Sequence, residues 1–207
     1  MTNVALVEAA AALRELAAAL VDHEADEETL AAVADAARTL ADRVSTGPRL
    51  DRAARMSALA TTERTPEVAA LPERPVGGLT NPTAVPMVVH RAGDRGVVAE
   101  VVIDSLFQGG EGRAHGGIVA GLFDDITGHV VTMLGVPAVT GRLSVAYRAP
   151  TPTDVPVVFR AWVMQKGDRR ILIEAEARHG DTVTATAEAV FVVVDDQRFV
   201  RHIPQAR

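Results

Sequence analysis

Hydrophobic positions recur with two different periods along this chain, and the change from one to the other divides it. From residue 4 to residue 22, Leu6, Leu13 and Leu20 stand seven apart with Leu16 between them, in an alanine-rich background. That spacing predicts one apolar stripe on a helix, ending near "DHEAD". Asp26 suits an N-cap, with Glu27 and Glu28 at the positive end of a second helix whose Leu30, Val33, Ala37, Leu40 and Val44 alternate three and four apart. Residues 1–46 therefore read as a helical hairpin. Two such helices bury little surface alone, so their stripes must meet each other, the main domain or a second chain, or else cover a binding groove.

Between this hairpin and Met87 the chain carries Pro48, Pro66, Pro72, Pro75, Pro82 and Pro86, with a Gly77-Gly78 pair and no sustained period. Residues 47–85 read as a linker, with one helical turn around Leu50 to Leu59. From Met87 the texture becomes that of strands. "MVVHRA", "GVVAEVVID", "VTGRLSVAYRA", "VPVVFRAWVMQ", "RRILIEAEAR" and "TVTATAEAVFVVV" are valine-rich and often alternate. One convincing helix, 116–133, interrupts them. Two strands, a long helix and four more strands predict an α+β domain over 86–197, an antiparallel sheet wrapped around a single helix, with a tail at 198–207.

On a helical wheel, Ile118, Val119, Leu122, Phe123, Ile126, Val130 and Met133 gather on one side of that helix. Asp124 falls on the other, among Gly117, Ala120, Gly121 and Gly128. Each interior glycine costs a helix about 1 kcal/mol against alanine, so this face is expected to admit a ligand or a second backbone. Asp125 lies at the edge of the core stripe with His129 four residues on. The spacing suits a structural pair, and the competing use of the two as metal ligands with His115 is disfavoured by the distance of His115 along the helix; no metal is expected.

At the helix start, Gly116 and Gly117 are expected to present unpaired N–H groups at the positive end of the helix dipole, a place for an anion or a developing oxyanion. Turning the chain into the helix is the plainer use of the pair. Gly116 and Asp124 are eight residues apart, about 12 Å along the axis. One helix cannot aim both at one carbonyl, so if they cooperate, the donor of one subunit meets the carboxylate of another, most simply across a two-fold axis.

Composition narrows the classes further. The chain has 207 residues, 48% of them apolar, enough for a proper core. A formal charge of −6 and 3% aromatic residues leave neither a basic footprint nor a stacking platform for nucleic acid. Without cysteine there is no disulfide, thiolate nucleophile or thiolate zinc site. Glu8, Arg14 and Glu15 interrupt the apolar N-terminus, unlike a signal peptide, and no uninterrupted apolar run approaches the roughly 18 residues of a membrane span. A cytoplasmic protein is expected. No P-loop or Gly-x-Ser-x-Gly setting is present.

His115, Gly116 and Gly117, followed by Asp124, together with "TGRLSVAYRAPTP" at 140–152, resemble the PaaI-like branch of the hotdog-fold acyl-coenzyme A thioesterases. The resemblance covers about residues 85 to 195. It implies a hotdog fold, a homodimer or dimer of dimers, and hydrolysis of an acyl-coenzyme A thioester with no cofactor beyond the coenzyme A of the substrate. By position, Asp124 would be the base or nucleophile, the Gly116 N–H would polarise the carbonyl, His115 would orient loop or substrate, and Thr140 would hold the attacking water. Gly117 would border the substrate. Some relatives carry an asparagine where this chain has Gly109, and Gln108 is the candidate substitute. Alternation along the strand puts Thr140, Arg142, Ser144 and Arg148 on one face, so that Arg142 and Arg148 become candidates for coenzyme A phosphates. The competing reading from another class is a non-catalytic acyl-coenzyme A binding module, which would not need Asp124.

Overall fold

The computed structural model describes residues 3–51 and 72–194. The turn expected around Leu50 to Leu59 lies almost wholly outside the described residues, as does the tail at 198–207. Two helices come first, α1 (Val4–Asp22) and α2 (Glu27–Ser45). Asn3 and Asp26 cap them, each side chain accepting from a backbone N–H three residues on. The Thr29 N–H holds the exposed Asp26 carboxyl below its usual range.

The main domain is a six-stranded antiparallel sheet with one long helix. In chain order the elements are β1 (His90–Arg91), β2 (Gly96–Val102), a 3-10 turn (Ser105–Phe107), β3 (Gln108–Gly110), β4 (Arg113–Ala114), α3 (Gly116–Leu134), β5 (Ala138–Tyr147), β6 (Pro156–Lys166), β7 (Arg170–His179) and β8 (Thr182–Val193). The sheet runs β1-β2-β6-β7-β8-β5, while β3 and β4 form a separate small hairpin. This is the expected hotdog arrangement. The two short strands and the 3-10 turn were not visible in the sequence pattern, because two or three residues carry no period.

Strict alternation places Val157, Phe159, Ala161 and Val163 of β6 and Ile171, Ile173, Ala175 and Ala177 of β7 inside. Ala161 pairs with Ala175, Ala175 with Ala187, and Ala177 with Ala185. This alanine trough lets α3 sit close, so that Val119, Leu122, Phe123, Ile126 and Val130 are almost fully buried. Phe123 meets Phe159 edge to face, with ring centroids 5.2 Å apart. By length and hydropathy α3 matches a membrane span, but half of its apolar window is buried inside the protein, as befits a core helix.

The described part of the Pro- and Gly-rich stretch does more than connect. Residues 72–89 form an irregular strap across α3, folded on itself by Val85 N–H to the Val76 carbonyl, Met87 N–H to Gly77 and Thr80 N–H to Pro72. Gly77, Gly78, Ala84, Val85 and Met87 are buried. Of the readings open for the N-terminal helices, α1 meets the main domain: Arg14 donates to the Asn81 carbonyl at 2.9 Å and the Ser105 hydroxyl to Asp22 at 2.6 Å. α2 buries no residue, and Leu30, Leu40 and Val44 stand exposed.

Gly78 is the tightest point of the strap. A Cβ there would lie 2.4 Å from both the amide nitrogen and the carbonyl oxygen of Arg74, atoms that cannot rotate away. Gly78→Ala is therefore expected to lower unfolding free energy by about 2 kcal/mol or more, read as an earlier urea midpoint. A change below 0.5 kcal/mol, the order seen at unconstrained surface sites, would mean that the strap yields freely.

Candidate active site

The start of α3 is built from its own N-cap. His115 holds extended backbone angles, and its Nδ1 accepts the Gly117 N–H at 3.1 Å, which places the ring proton on Nε2. The His115 carbonyl takes the N–H groups of Ile118 and Val119. Gly116 alone in this first turn keeps an N–H without a partner among the described residues. Its carbonyl is fixed instead, accepting from the Tyr147 hydroxyl at 2.6 Å.

Two turns further on, the exposed Asp124 carboxylate accepts from the Thr140 hydroxyl at 2.9 Å. The pairing depends on a β-bulge. Between Thr140 and Arg142 the register of β5 against β8 slips by one residue at Gly141. Ala138 and Thr140 before the bulge, and Leu143, Val145 and Tyr147 after it, therefore share the helix side. This corrects the simple alternation, which grouped Thr140 with Arg142 and Ser144.

The strap supplies the opposite wall. A Cβ on Gly121 would lie 3.0 to 3.1 Å from the Val76 methyls, and one on Gly128 would lie 3.3 Å from the Arg74 guanidinium. With β5 reaching Gly116 and Asp124 on one flank and the strap covering Gly121, Asp125 and Gly128 on the other, Gly117, Ala120 and Asp124 line an open slot. It ends where Thr127 and Val131 are buried. The glycines thus admit a close neighbour, but what approaches is two side chains of this chain's own strap, Val76 on Gly121 and Arg74 on Gly128.

A likeness to known proteins follows the same segment. The family model described as the thioesterase superfamily matches residues 111–186, from the turn before α3 into β8. His115, Asp124 and Thr140 all fall within this stretch. The crystal structure of a thioesterase superfamily protein is 26% identical with a TM-score of 0.75, covering 90% of this chain and 94% of that one, a span that must reach into the N-terminal helices. A Streptococcus mutans protein bound to acetyl CoA is 19% identical at a TM-score of 0.50, covering 52% of this chain and 88% of its own. Zebra fish thioesterase superfamily member 2 is 18% identical at 0.50, covering 56% and 83%. No curated protein matches the chain.

Within the thioesterase-like segment, the structure brings some predicted residues together and separates others. His115, Gly116, Asp124 and Thr140 border the slot. The Gly117 N–H is already taken by His115, so Gly117 offers space and no donor. Gly109 lies against His115, where a Cβ would come within 2.9 Å of its Cα, so an asparagine there would displace the histidine. Gln108 does not replace it, for its Oε1 accepts the Gly112 N–H at 3.1 Å and braces the small hairpin. Arg142 leaves the site altogether: it pairs with Glu188 at 2.7 Å on the outer face of the sheet. Arg148 is exposed just past the end of β5. A shallow groove on that outer face, lined by Ser144, Trp162, Glu174 and Glu188, does not include Asp124.

Asp125 and His129 are neighbours, but not as a carboxylate–imidazole pair. His129 Nδ1 lies 2.8 Å from the Asp125 carbonyl and 2.9 Å from Arg74 Nη1. The Asp125 carboxylate meets Arg74 at 3.2 Å and accepts the Gly77 N–H at 2.6 Å. Both residues organise around Arg74, which the sequence pattern hid inside an aperiodic stretch, and neither turns toward His115. Tyr147, the one tyrosine of the chain, was also missed, since it counted as part of the strand's apolar face.

Burial, and then the nearby Arg74 charge, depress the His129 pKa from 6.5 to about 4. Its unfolded form binds a proton near pH 6.5 and its folded form only near 4, so its contribution to stability is full above 6.5, falls as pH drops, and levels off below about 4. The loss is on the order of 3 kcal/mol. Burial pushes the Asp125 carboxyl up against the pull of Arg74 and Gly77, which adds stability as pH falls and offsets part of the loss at the acid end. Urea midpoints between pH 7.5 and 4.5 should fall for the parent and fall less for His129→Gln. Equal slopes would assign the acid sensitivity elsewhere.

Proposed function

We propose that this protein hydrolyses acyl-coenzyme A thioesters, with Asp124 and the Gly116 N–H acting on one substrate from two subunits of a two-fold dimer. The observation that carries the reading is the carboxylate of Asp124, held by the Thr140 hydroxyl in an open slot, on the same helix whose Gly116 N–H has no partner among the described residues. Support comes also from the thioesterase superfamily match and from the acetyl CoA bound to a Streptococcus mutans protein of this fold.

The chemistry divides naturally between the two groups. Asp124, steadied by Thr140, takes a proton from water as its oxygen bonds to the thioester carbon. The Gly116 N–H, at the positive end of α3, stabilises the negative charge that the carbonyl oxygen acquires. When the tetrahedral intermediate collapses, the carbon–sulfur bond breaks and the coenzyme A sulfur takes the proton back from Asp124. A free carboxylic acid and a thiol result. Because Gly116 and Asp124 sit about 12 Å apart on one continuous helix, a single subunit cannot complete this arrangement.

Two substitutions isolate the two roles. Asp124→Asn is expected to lower kcat by a factor on the order of 10² to 10⁴, the usual worth of a positioned base. Gly116→Pro deletes the N–H at a helix position that tolerates proline, after a residue whose extended angles suit it. Thiol release from acyl-coenzyme A esters should be nearly lost in both. Mixing the two inactive proteins and letting subunits exchange should restore about a quarter of parental activity, since heterodimers keep one intact site of two. Full activity in Asp124→Asn would end the base assignment, and no recovery in fully exchanged mixtures would end the shared site.

A further inference from the structure

The strap lies outside the segment that matches the thioesterase superfamily, yet it borders the slot one turn of helix before Asp124. We propose that Val76 is a specificity-determining residue, the wall that limits the bulk of the acyl group next to the thioester carbonyl. This rests on the hydrolase reading of the same slot and adds what selects the substrate.

Position comes first. Val76 packs on the bare backbone of Gly121, close enough that even a methyl on that glycine would crowd its Cγ atoms at 3.0 and 3.1 Å. Gly121 precedes Asp124 by three residues, about 4.5 Å along the helix axis. A carbonyl within reach of the Asp124 carboxylate therefore has the Val76 methyls beside its first substituent atoms. On the other flank the slot offers the hydroxyls of Thr140 and Tyr147. On the strap flank Val76 presents two methyls, the chemistry that an acyl group fits and a phosphate does not.

Rigidity is the second argument, since a wall selects only if it does not yield. Val76 is fastened on both sides. Arg74 Nη1 lies 3.0 Å from the Asp125 carbonyl and 3.2 Å from its carboxylate, and the Gly77 N–H donates to the other carboxylate oxygen at 2.6 Å. The Val76 carbonyl itself accepts from Val85 at 2.8 Å. Asp125, next in sequence to the proposed base, thus anchors the wall, which explains two adjacent carboxylates of opposite surroundings. One meets the open slot, and the other clamps the strap.

The test varies the acyl group while coenzyme A stays constant, with acetyl, isobutyryl and benzoyl esters. Val76→Ala is expected to raise kcat/KM for the isobutyryl and benzoyl esters relative to acetyl by about tenfold, the scale of one or two methyl groups in an apolar pocket. Val76→Ile is expected to shift the ratio the other way, and inhibition by free coenzyme A should not change in either. Ratios unchanged in both variants, or a change that appears with free coenzyme A, would overturn the proposal. Gly121→Ala provides a structural check: its lowered melting temperature should be largely recovered in the Gly121→Ala, Val76→Ala double variant, and additive losses would count against the contact. If the parent hydrolyses none of the esters, the hydrolase reading fails by itself. The wall is then judged by dissociation constants of the same three esters, with the same rank shift expected. Absence of binding by every ester overturns it too.

Discussion

A helix can bury only one broad stripe in a curved sheet, and α3 puts its large side chains there. Phe123, Leu122, Ile126 and Val130 fill a trough whose floor is alanine in three adjacent strands. Small residues in the floor bring the helix axis close to the sheet, and this closeness lets β5, at the sheet's edge, curl up to the helix. Thr140 and Tyr147 then reach Asp124 and Gly116 from the side. Larger residues at Ala175 or Ala187 would lift the helix and pull both hydrogen bonds apart. The alignment of the site is thus a consequence of core packing at positions that carry no chemistry.

The opposite flank depends on a half-buried charge. Arg74 is held by the carbonyl and the carboxylate of Asp125 and by His129. Buried ion pairs add little net stability against apolar replacements, but removing one partner is costly, because the other charge is left without compensation. Such a cluster therefore fixes a geometry better than it adds free energy. Here the geometry fixed is that of the strap, whose glycines 77 and 78 leave room for close approach where a methyl would strike Asp125 or Arg74.

How far the chain could be read without its structure follows from where its information is periodic. The long strands and α3 were legible, because alternation over ten residues or a stripe over nineteen overdetermines the element. Asp124 was legible as the odd residue on a bare face, and Thr140 through resemblance. The face of Thr140 was not, because one inserted residue at Gly141 inverts every alternation argument made across it. Arg142 followed the same error to the wrong side of the sheet. Gly121 and Gly128 rightly signalled a close approach, but a helix wheel cannot say that two side chains of the strap make it. Nor could any local pattern pair Arg74 with residues about fifty positions later, in a stretch whose prolines and glycines suggested only a connection.

The two adjacent aspartates show why contact, more than residue type, assigns a role. Asp124 and Asp125 differ by 100° around the helix. That rotation takes one carboxylate into the slot, with a hydroxyl as its protein partner, and buries the other beneath the strap between a guanidinium and a backbone N–H. A base needs access to water and freedom to change charge, and a clamp needs neither. Exchanging their surroundings would leave Asp125's position desolvated for proton transfer and Asp124's too solvated to hold a segment. The helix therefore divides its surroundings by angle: a sheet-side stripe packed in the core, a strap-side edge that fastens, and a narrow interval between strap and β5 left open.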